Sequence, residues 1–442
     1  MPDTPRIDYL VEAGGPLTGT AQLPGDKSIS HRALMLGAVA TGITQIHGFL
    51  DGEDTLATLA AFRALGVHID YRRPRRVTVH GVGLHGLKDA RAPLYLGNSG
   101  TSVRLLAGLL AGQEFDSELN GDASLQSRPM RRITEPLQRM GAAIRCSDQG
   151  TLPITIKGGR KLSGISYQMP VASAQLKSAL LLAGLYAAGS TCVTEPAVTR
   201  DHTERMLAHF GCPVQRTDHR ICITSGVLRG AEVQVPADIS SAAFFMVGAS
   251  IAAGSDVVLE RVGVNPTRSA VIDILQAMGA DIRLENRRDL GTEPVADIRV
   301  KYAKLRGIEI PSGKVSIAID EFPVLFVAAA CAEGRTVLEG AAELRVKESD
   351  RIAAMEQGLS ALGVRVQARD DGMIIDGGAL LGGTIDSRGD HRIAMAFAIA
   401  ALAAQGPVCI HDCANIDTSF PGFAGLLREL GTPVTIAGDT VG

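Results

Sequence analysis

The phrase Leu65-Gly66-Val67 ends a helical run at a large apolar residue, puts glycine next, and passes into a strand. It returns as Met140-Gly141-Ala142, Phe210-Gly211-Cys212, Met278-Gly279-Ala280, Leu362-Gly363-Val364 and Leu430-Gly431-Thr432. The glycines are spaced by 75, 70, 68, 84 and 68 residues, too evenly for accident and too widely for the common solenoid repeats, so the chain reads as six small α/β modules. In each module glycine stands where a helix needs a left-handed terminator. Runs such as Val67-His68-Ile69-Asp70 and Val364-Arg365-Val366-Gln367 alternate with the period of a strand.

A second series runs beside the first. Residues 30–40, 99–111, 173–188, 240–253, 321–332 and 391–404 are helical runs rich in small residues, ending near Gly42, Gly112, Gly189, Gly254, Gly334 and Gly406. Apolar nearly all round, they predict helices buried inside a domain, whereas the amphipathic runs that end at the first glycine series predict outer helices. Asp201-His202-Thr203-Glu204 has the form of a capping box and Ser349 opens another outer helix, while Pro136 predicts that the helix over residues 128–140 kinks or starts late. Six modules divide into two similar domains of three, residues 25–236 and residues 1–24 plus 237–442, with the seam near Pro236. Strand-like residues 7–13 and 434–436 put both termini in the second domain. Two such domains on a two-strand hinge predict a substrate cleft between them.

With 442 residues, 45% hydrophobic and 21% charged, the chain is long enough for two cores and disorder is excluded. The 44 Lys and Arg nearly balance 47 Asp and Glu, so bulk charge gives no reason to expect nucleic acid or an anionic membrane, and any positive field is local. Charge-free apolar runs such as residues 242–253 and 393–404 fall short of the ~18 residues that a membrane span needs. Residues 1–10 carry Asp3, Arg6 and Asp8 and do not form a signal peptide, which predicts a cytoplasmic protein. Cys146, Cys192, Cys212, Cys222, Cys331, Cys409 and Cys413 are odd in number and include no C-x-x-C pair, so they read as reduced core thiols. No His-x-x-x-His, carboxylate triad or Cys cluster offers metal ligands, and no G-x-S-x-G elbow offers a serine nucleophile.

Chemistry concentrates where the buried helices begin. Lys27-Ser28-Ile29-Ser30-His31-Arg32, Asn98-Ser99-Gly100-Thr101 with Arg104, Ser173-Ala174-Gln175 with Lys177, Asp238-Ile239-Ser240-Ser241, Asp320-Glu321 and Asp390-His391-Arg392 are all polar, and most are cationic. Free N–H groups and a partial positive charge make a helix N-terminus a ready anion site, so several that converge would bind an anionic ligand. Pro24-Gly25-Asp26-Lys27-Ser28 lacks the upstream glycine of a nucleotide phosphate loop. Taken alone, Asn98-Ser99-Gly100-Thr101 equally fits a plain helix cap, and Val346-Lys347-Glu348-Ser349-Asp350-Arg351 equally fits a surface ion cluster. Asp320-Glu321 ahead of an apolar helix is costly unless paired or functional, which marks an acid or base. The residues alone therefore describe an enzyme that binds phosphate or carboxylate anions and works by acid–base rather than covalent or metal chemistry.

Six segments together carry a family resemblance: Pro24-Gly25-Asp26-Lys27-Ser28-Ile29-Ser30-His31-Arg32, Gly97-Asn98-Ser99-Gly100-Thr101-Ser102-Val103-Arg104, Arg128-Pro129-Met130, Ser173-Ala174-Gln175, residues 345–351 and Asp390-His391-Arg392. Over nearly its full length the chain resembles the EPSP synthases. That resemblance implies an α/β (α+β) fold of two similar domains, each of three βαβαββ units with buried parallel helices in an inside-out, barrel-like arrangement. It implies transfer of the enolpyruvyl group of phosphoenolpyruvate to the 5-hydroxyl of shikimate 3-phosphate, through a tetrahedral intermediate, with release of phosphate and no cofactor or metal. By motif position, Lys27, Ser28, Arg32, Ser173, Ala174, Gln175, Arg200, Asp320 and Lys347 are expected at shikimate 3-phosphate. Lys27, Asn98, Gly100, Arg128, Gln175, Arg351 and Arg392 are expected at phosphoenolpyruvate. Asp320 is the expected base for the 5-hydroxyl, and Glu348, with Lys27 as rival, the expected proton donor to the methylene carbon. Ala174 stands where many members have serine, and Thr418 where some have lysine. Bulkier residues at the position of Gly100 make some members tolerate glyphosate. Glycine there implies a glyphosate target, but Ala174 and the surroundings of Arg128 resemble the tolerant class, so sensitivity stays open.

The partners expected are the two small substrates, with no nucleic acid and no membrane, and the chain is expected to be a monomer because no amphipathic stretch is left over. Lys27, Arg128, Lys347 and Arg392 would repel one another in an empty cleft, which predicts closure on the first substrate. Transfer to a UDP-sugar is the nearest rival, and it calls for Lys-Asn where Lys27-Ser28 stands and for a loop cysteine, whereas Cys146 lies beside a strand. A phosphate cyclase for RNA ends would need a basic track. A non-catalytic α/β repeat scaffold would not explain Asp320-Glu321 beside Lys347-Glu348.

Overall fold

The computed structural model describes residues 7–72 and 75–438, so the signal-peptide reading of residues 1–6 falls outside the described residues. Two compact units divide the chain. The middle unit comprises Gly25–Val235 with Leu290–Thr292, and the terminal unit comprises Met1–Pro24, Pro236–Asp289 and Glu293–Gly442. Each unit has its own apolar core.

The repeating module is plainest in the middle unit. Leu94–Tyr95, helix Gly100–Leu110, Ser117–Asn120, helix Arg131–Arg139, Ala143–Arg145 and Ile154–Lys157 follow one another as βαβαββ. The first two strands pair in parallel across the buried helix, and the last two close the sheet antiparallel. Ser166–Gln168, helix Ala174–Gly184, Ser190–Thr194, helix His202–His209, Gln215–Thr217 and Arg220–Thr224 repeat the plan. In the remaining module of this unit the parallel neighbour of Thr41–His47 is Glu232–Gln234, borrowed from the far end of the unit. The terminal unit borrows in the same way. Thr18–Ala21 lies parallel to Asp256–Gly263, while Asp8–Val11 lies between Val408–His411 and Val434–Ala437. The segment from Asp8 to Ala21 thus completes two sheets of a unit whose other strands lie more than 230 residues later.

The two glycine series set this pattern. Gly66, Gly141, Gly211, Gly279, Gly363 and Gly431 have φ of 84, 100, 91, 98, 83 and 116°, the left-handed region that stops an outer helix and that a side chain would strain. Inside, small residues let helices meet: a Cβ on Gly108 would lie 2.1 Å from the carbonyl oxygen of Ala179, so helices Gly100–Leu110 and Ala174–Gly184 touch backbone to backbone. Helix Ile239–Ile251 is buried at every residue, as an all-round apolar run requires.

Three local expectations fail. Asp201 makes no side-chain cap, since its ψ of 17° is not the extended form in which a cap reaches back; its carboxylate takes Arg205 Nε at 2.9 Å, and Glu204 pairs with buried Lys177. Helix Arg351–Ala361 is capped by Asp350, which accepts from the Ala353 N–H, while Ser349 bonds to Asp390. The third concerns cysteine. Cys192 and Cys222 are paired in register on adjacent antiparallel strands, with Cα atoms 4.1 Å apart, and form a disulfide. A separation of 30 residues hides that register from the sequence, whereas Cys146, Cys212, Cys331, Cys409 and Cys413 are free. The helix expected over residues 128–140 begins late, at Arg131, yet Pro136 still falls inside it as its sixth residue, past the first turn where a missing N–H is harmless.

Candidate active site

Each unit carries a polar cluster at the starts of its buried helices. In the middle unit, Asp26 caps helix Lys27–Val39 by accepting from the Ile29 N–H at 2.9 Å, which leaves Lys27 on the first turn paired with the buried carboxylate of Asp54. Arg32, one turn on, is buried and fixed on three sides. It donates to the Ser28 carbonyl at 3.0 Å, Ser178 Oγ at 2.8 Å and Thr203 Oγ1 at 2.6 Å. Ser99 caps helix Gly100–Leu110 through the Ser102 N–H, and Ser173 caps helix Ala174–Gly184 through the Leu176 N–H at 3.3 Å.

Around Gly100 the groups converge. A Cβ there would lie 3.1 Å from Arg128 Nη1 and 3.2 Å from Arg104 Nη1, so the missing side chain is what lets two guanidinium groups close over the helix start. Arg128 is buried, and donates to Asn98 Oδ1 and to Ser124 Oγ, while Asn98 donates to Asp122 at 2.8 Å. Arg104 donates to Gln175 Oε1, and Gln175 Nε2 donates to Thr101 Oγ1 at 3.1 Å. Two forked cations on rigid supports beside free helix N–H groups suit a phosphate or carboxylate. Arg104 belongs to this cluster although it was expected only as part of a cationic helix end; its spacing of four from Gly100 was the available signal. Ala174 opens its helix and Arg200 lies partly exposed just before helix His202–His209. Lys177, by contrast, is fully buried between Glu195 at 3.0 Å and Glu204 at 2.7 Å, where it holds the fold rather than a ligand.

His31 lies under this cluster, its Nδ1 2.8 Å from Thr58 Oγ1. Burial, with Lys27 and Arg32 nearby, holds its pKa well below the ordinary histidine value. The folded chain therefore keeps His31 neutral while the unfolded chain takes up a proton as pH falls through ~6.5. Stability is whole above that pH and is lost below it by about 1.4 kcal/mol per pH unit, down to the folded pKa. Urea midpoints of His31→Gln between about pH 7.5 and 5 are expected to fall less steeply than those of the unaltered chain. Equal slopes would mean that folded His31 binds a proton.

In the terminal unit the cluster centres on Arg351, the first residue of helix Arg351–Ala361, which is 1% exposed. Its Nε lies 2.8 Å from Asp390, its Nη2 2.6 Å from Glu348 and its Nη1 3.6 Å from Asp320. Burial alone would lower the guanidinium pKa, but Asp390 and Glu348 outweigh it and hold the group above its ordinary value. Asp390 is the converse case: burial pushes its carboxyl up, and Arg351 more than reverses that, leaving it below the usual range. Asp390 also caps helix His391–Ala400 by accepting from the Arg392 N–H at 2.9 Å. Lys347 Nζ reaches Asp320 Oδ1 at 3.2 Å, and Arg392 donates to the Asp320 carbonyl at 2.9 Å. Arg392 also stands 3.7 Å from the buried Glu321, which accepts from Ser240, itself bonded to Arg268 at 2.7 Å. Asp320, Lys347, Glu348, Arg351 and Arg392 are thus brought together as expected positions. Glu321, Ser240 and Asp390 stand at helix starts that the sequence marks as polar, and here they hold the cations in place, while Arg268, which donates to Ser240, carries no such mark in the sequence.

This cluster offers a carboxylate between two cations, next to a second carboxylate, which suits proton transfer beside an anion. Among known proteins, the family model described as EPSP synthase (3-phosphoshikimate 1-carboxyvinyltransferase) matches residues 11–427. A 3-phosphoshikimate 1-carboxyvinyltransferase of Methylococcus capsulatus is 63% identical over 98% of this chain and 99% of its own length. That of Alkalilimnicola ehrlichii is 62% identical over 99% and 98%. The solved structure of EPSP synthase from Acinetobacter baumannii superposes with a TM-score of 0.87 at 53% identity, covering 98% of this chain and 100% of the other. The enolpyruvyl transferase NikO of Streptomyces tendae, 18% identical with a TM-score of 0.78 over 99% of this chain and 100% of its own, shares the fold. Among the described residues no helix is long and apolar enough to cross a membrane.

Proposed function

The chain belongs to the EPSP synthase (3-phosphoshikimate 1-carboxyvinyltransferase) family and is a transferase, and on that premise we propose how its residues share the reaction. Its substrates are shikimate 3-phosphate and phosphoenolpyruvate; the enolpyruvyl group moves to the 5-hydroxyl and phosphate leaves. Lys27, Ser28, Arg32, Ser173, Gln175, Arg200 and Lys347 hold shikimate 3-phosphate, with Ala174 lining the same helix start. Lys27, Asn98, Gly100, Arg128, Gln175, Arg351 and Arg392 hold phosphoenolpyruvate, and Arg104 joins them through Gln175. Asp320 takes the proton of the 5-hydroxyl as its oxygen bonds to C2 of phosphoenolpyruvate, and Glu348 or Lys27 delivers a proton to C3. The tetrahedral adduct then loses a methyl proton and phosphate together, restoring the double bond. Fixed cations that face the charge developing on the carboxylate and phosphate lower the barrier without reorganising. The enzyme works in the cytoplasm as a monomer, without cofactor or metal. Transfer to a UDP-sugar is not favoured, since the relatives at 63% and 62% identity are named for the shikimate acceptor.

The observation that carries this reading is the pair of guanidinium groups closing over Gly100. In Gly100→Ala the new methyl must displace Arg128 or Arg104 by a few tenths of an ångström. Misplacing a bidentate anion partner is expected to raise KM for phosphoenolpyruvate about tenfold, ~1.4 kcal/mol, with a smaller effect on KM for shikimate 3-phosphate. An unchanged KM for phosphoenolpyruvate would remove it from this helix start.

A further inference from the structure

Away from both clusters, the middle unit builds a three-ligand group that its reaction does not use. His68 and Asp70 are two residues apart on strand His68–Arg72, so both project from one face, and His80 on strand Arg76–Val82 is the register partner of His68. Ile69, Val77 and Val79 point to the buried face, while His68, Asp70 and His80 stand on the solvent face. A Cβ on Gly81 would strike the carbonyls of Gly37 and Ala40 at the end of helix Lys27–Val39. The group therefore sits by the end of that helix opposite Lys27.

We propose that His68, Asp70 and His80 form a binding site for a borderline transition-metal dication, with Zn2+ as the type. Asp70 Oδ1 lies 3.4 Å from His68 Nε2, and Asp70 Oδ2 lies 3.2 Å from His80 Nε2. Zinc with Zn–N and Zn–O bonds of about 2.0–2.2 Å sets tetrahedral ligand atoms about 3.3–3.5 Å apart; each imidazole nitrogen already stands near that distance from one oxygen of Asp70, and a small turn of the carboxylate presents a single oxygen to both. All three donor atoms lie within 4.8 Å of one another, and the imidazole rings stand 4.7 Å apart between centroids. Two imidazoles and one carboxylate select Zn2+, Ni2+ or Cu2+ over the oxygen-seeking Mg2+ and Ca2+, and solvent fills the remaining position. Bound metal would clip strand His68–Arg72, the edge of its sheet, to its neighbour. The sequence concealed the group because a strand spacing of two and a partner ten residues away match no helical or zinc-finger pattern.

Calorimetric titration of the full chain with Zn2+ tests this, with His68→Ala and His80→Ala as variants and Mg2+ as the competing ion. One Zn2+ per chain is expected, with a rise in unfolding temperature and no response to Mg2+. Losing even a residue that only orients a ligand commonly costs about tenfold or more, so each variant is expected to bind Zn2+ at least about tenfold more weakly. Both variants should keep full transferase activity and the circular dichroism of the parent, since these side chains are exposed. No Zn2+ binding, equal binding of Mg2+, or undiminished Zn2+ binding by the double variant would overturn the proposal.

Discussion

Arg351→Met is expected to lower the unfolding midpoint by roughly 10 °C and to abolish measurable turnover. Arg351 is the cation shared by Asp390, Glu348 and Asp320, and it is 1% exposed. Removing it strands Asp390, which has no exposed side-chain surface, without its counter-charge. Breaking a buried pair from one side costs about 3–5 kcal/mol, and each kcal/mol moves the midpoint of a unit of this size by about 2–4 °C. Arg351→Lys keeps the charge but not the planar fork, so it is expected to recover part of the stability and little of the activity. Scanning calorimetry with steady-state kinetics separates the two effects. A midpoint within about 2 °C of the parent would show that Asp390 finds its charge balance elsewhere.

Asp320→Asn carries the second large effect, on rate rather than stability. The side chain keeps its size, and the bond from Arg392 to the main-chain carbonyl of residue 320 is untouched, but the group can no longer accept the hydroxyl proton. Positioned acid–base help is worth about 100- to 10,000-fold, and a loss of kcat in that range is expected with the unfolding midpoint close to that of the parent. A loss of less than about tenfold would move the base to Glu348 or Lys27.

The fold was legible because its repeats are written in glycine, and glycine is placed by backbone geometry that no other residue meets at low cost. Gly66, Gly141 and their counterparts end outer helices for that reason, and the apolar runs at residues 240–253 and 391–404 can only be inside. What the sequence hid was register. Cys192 and Cys222 meet only because two strands align, and the same is true of His68 and His80. At the site, residues lying on helix starts were readable one by one, as with Lys27, Gly100 and Arg351. Their partnerships were not: Asp54 and Arg268 carry no sequence signal, and Glu321 and Asp390, visible as helix-start acids, matter through cations they meet only in space. The Asp201 cap failed for the same reason, because Arg205 and Lys177 competed for the two carboxylates of the motif.

The most direct measurement is phosphate release from phosphoenolpyruvate by the purified chain with shikimate 3-phosphate, with UDP-N-acetylglucosamine, and with neither. Release that requires shikimate 3-phosphate, and yields one 5-enolpyruvyl product per phosphate, is the expected result. Release with the UDP-sugar alone, or none with either acceptor, would contradict it.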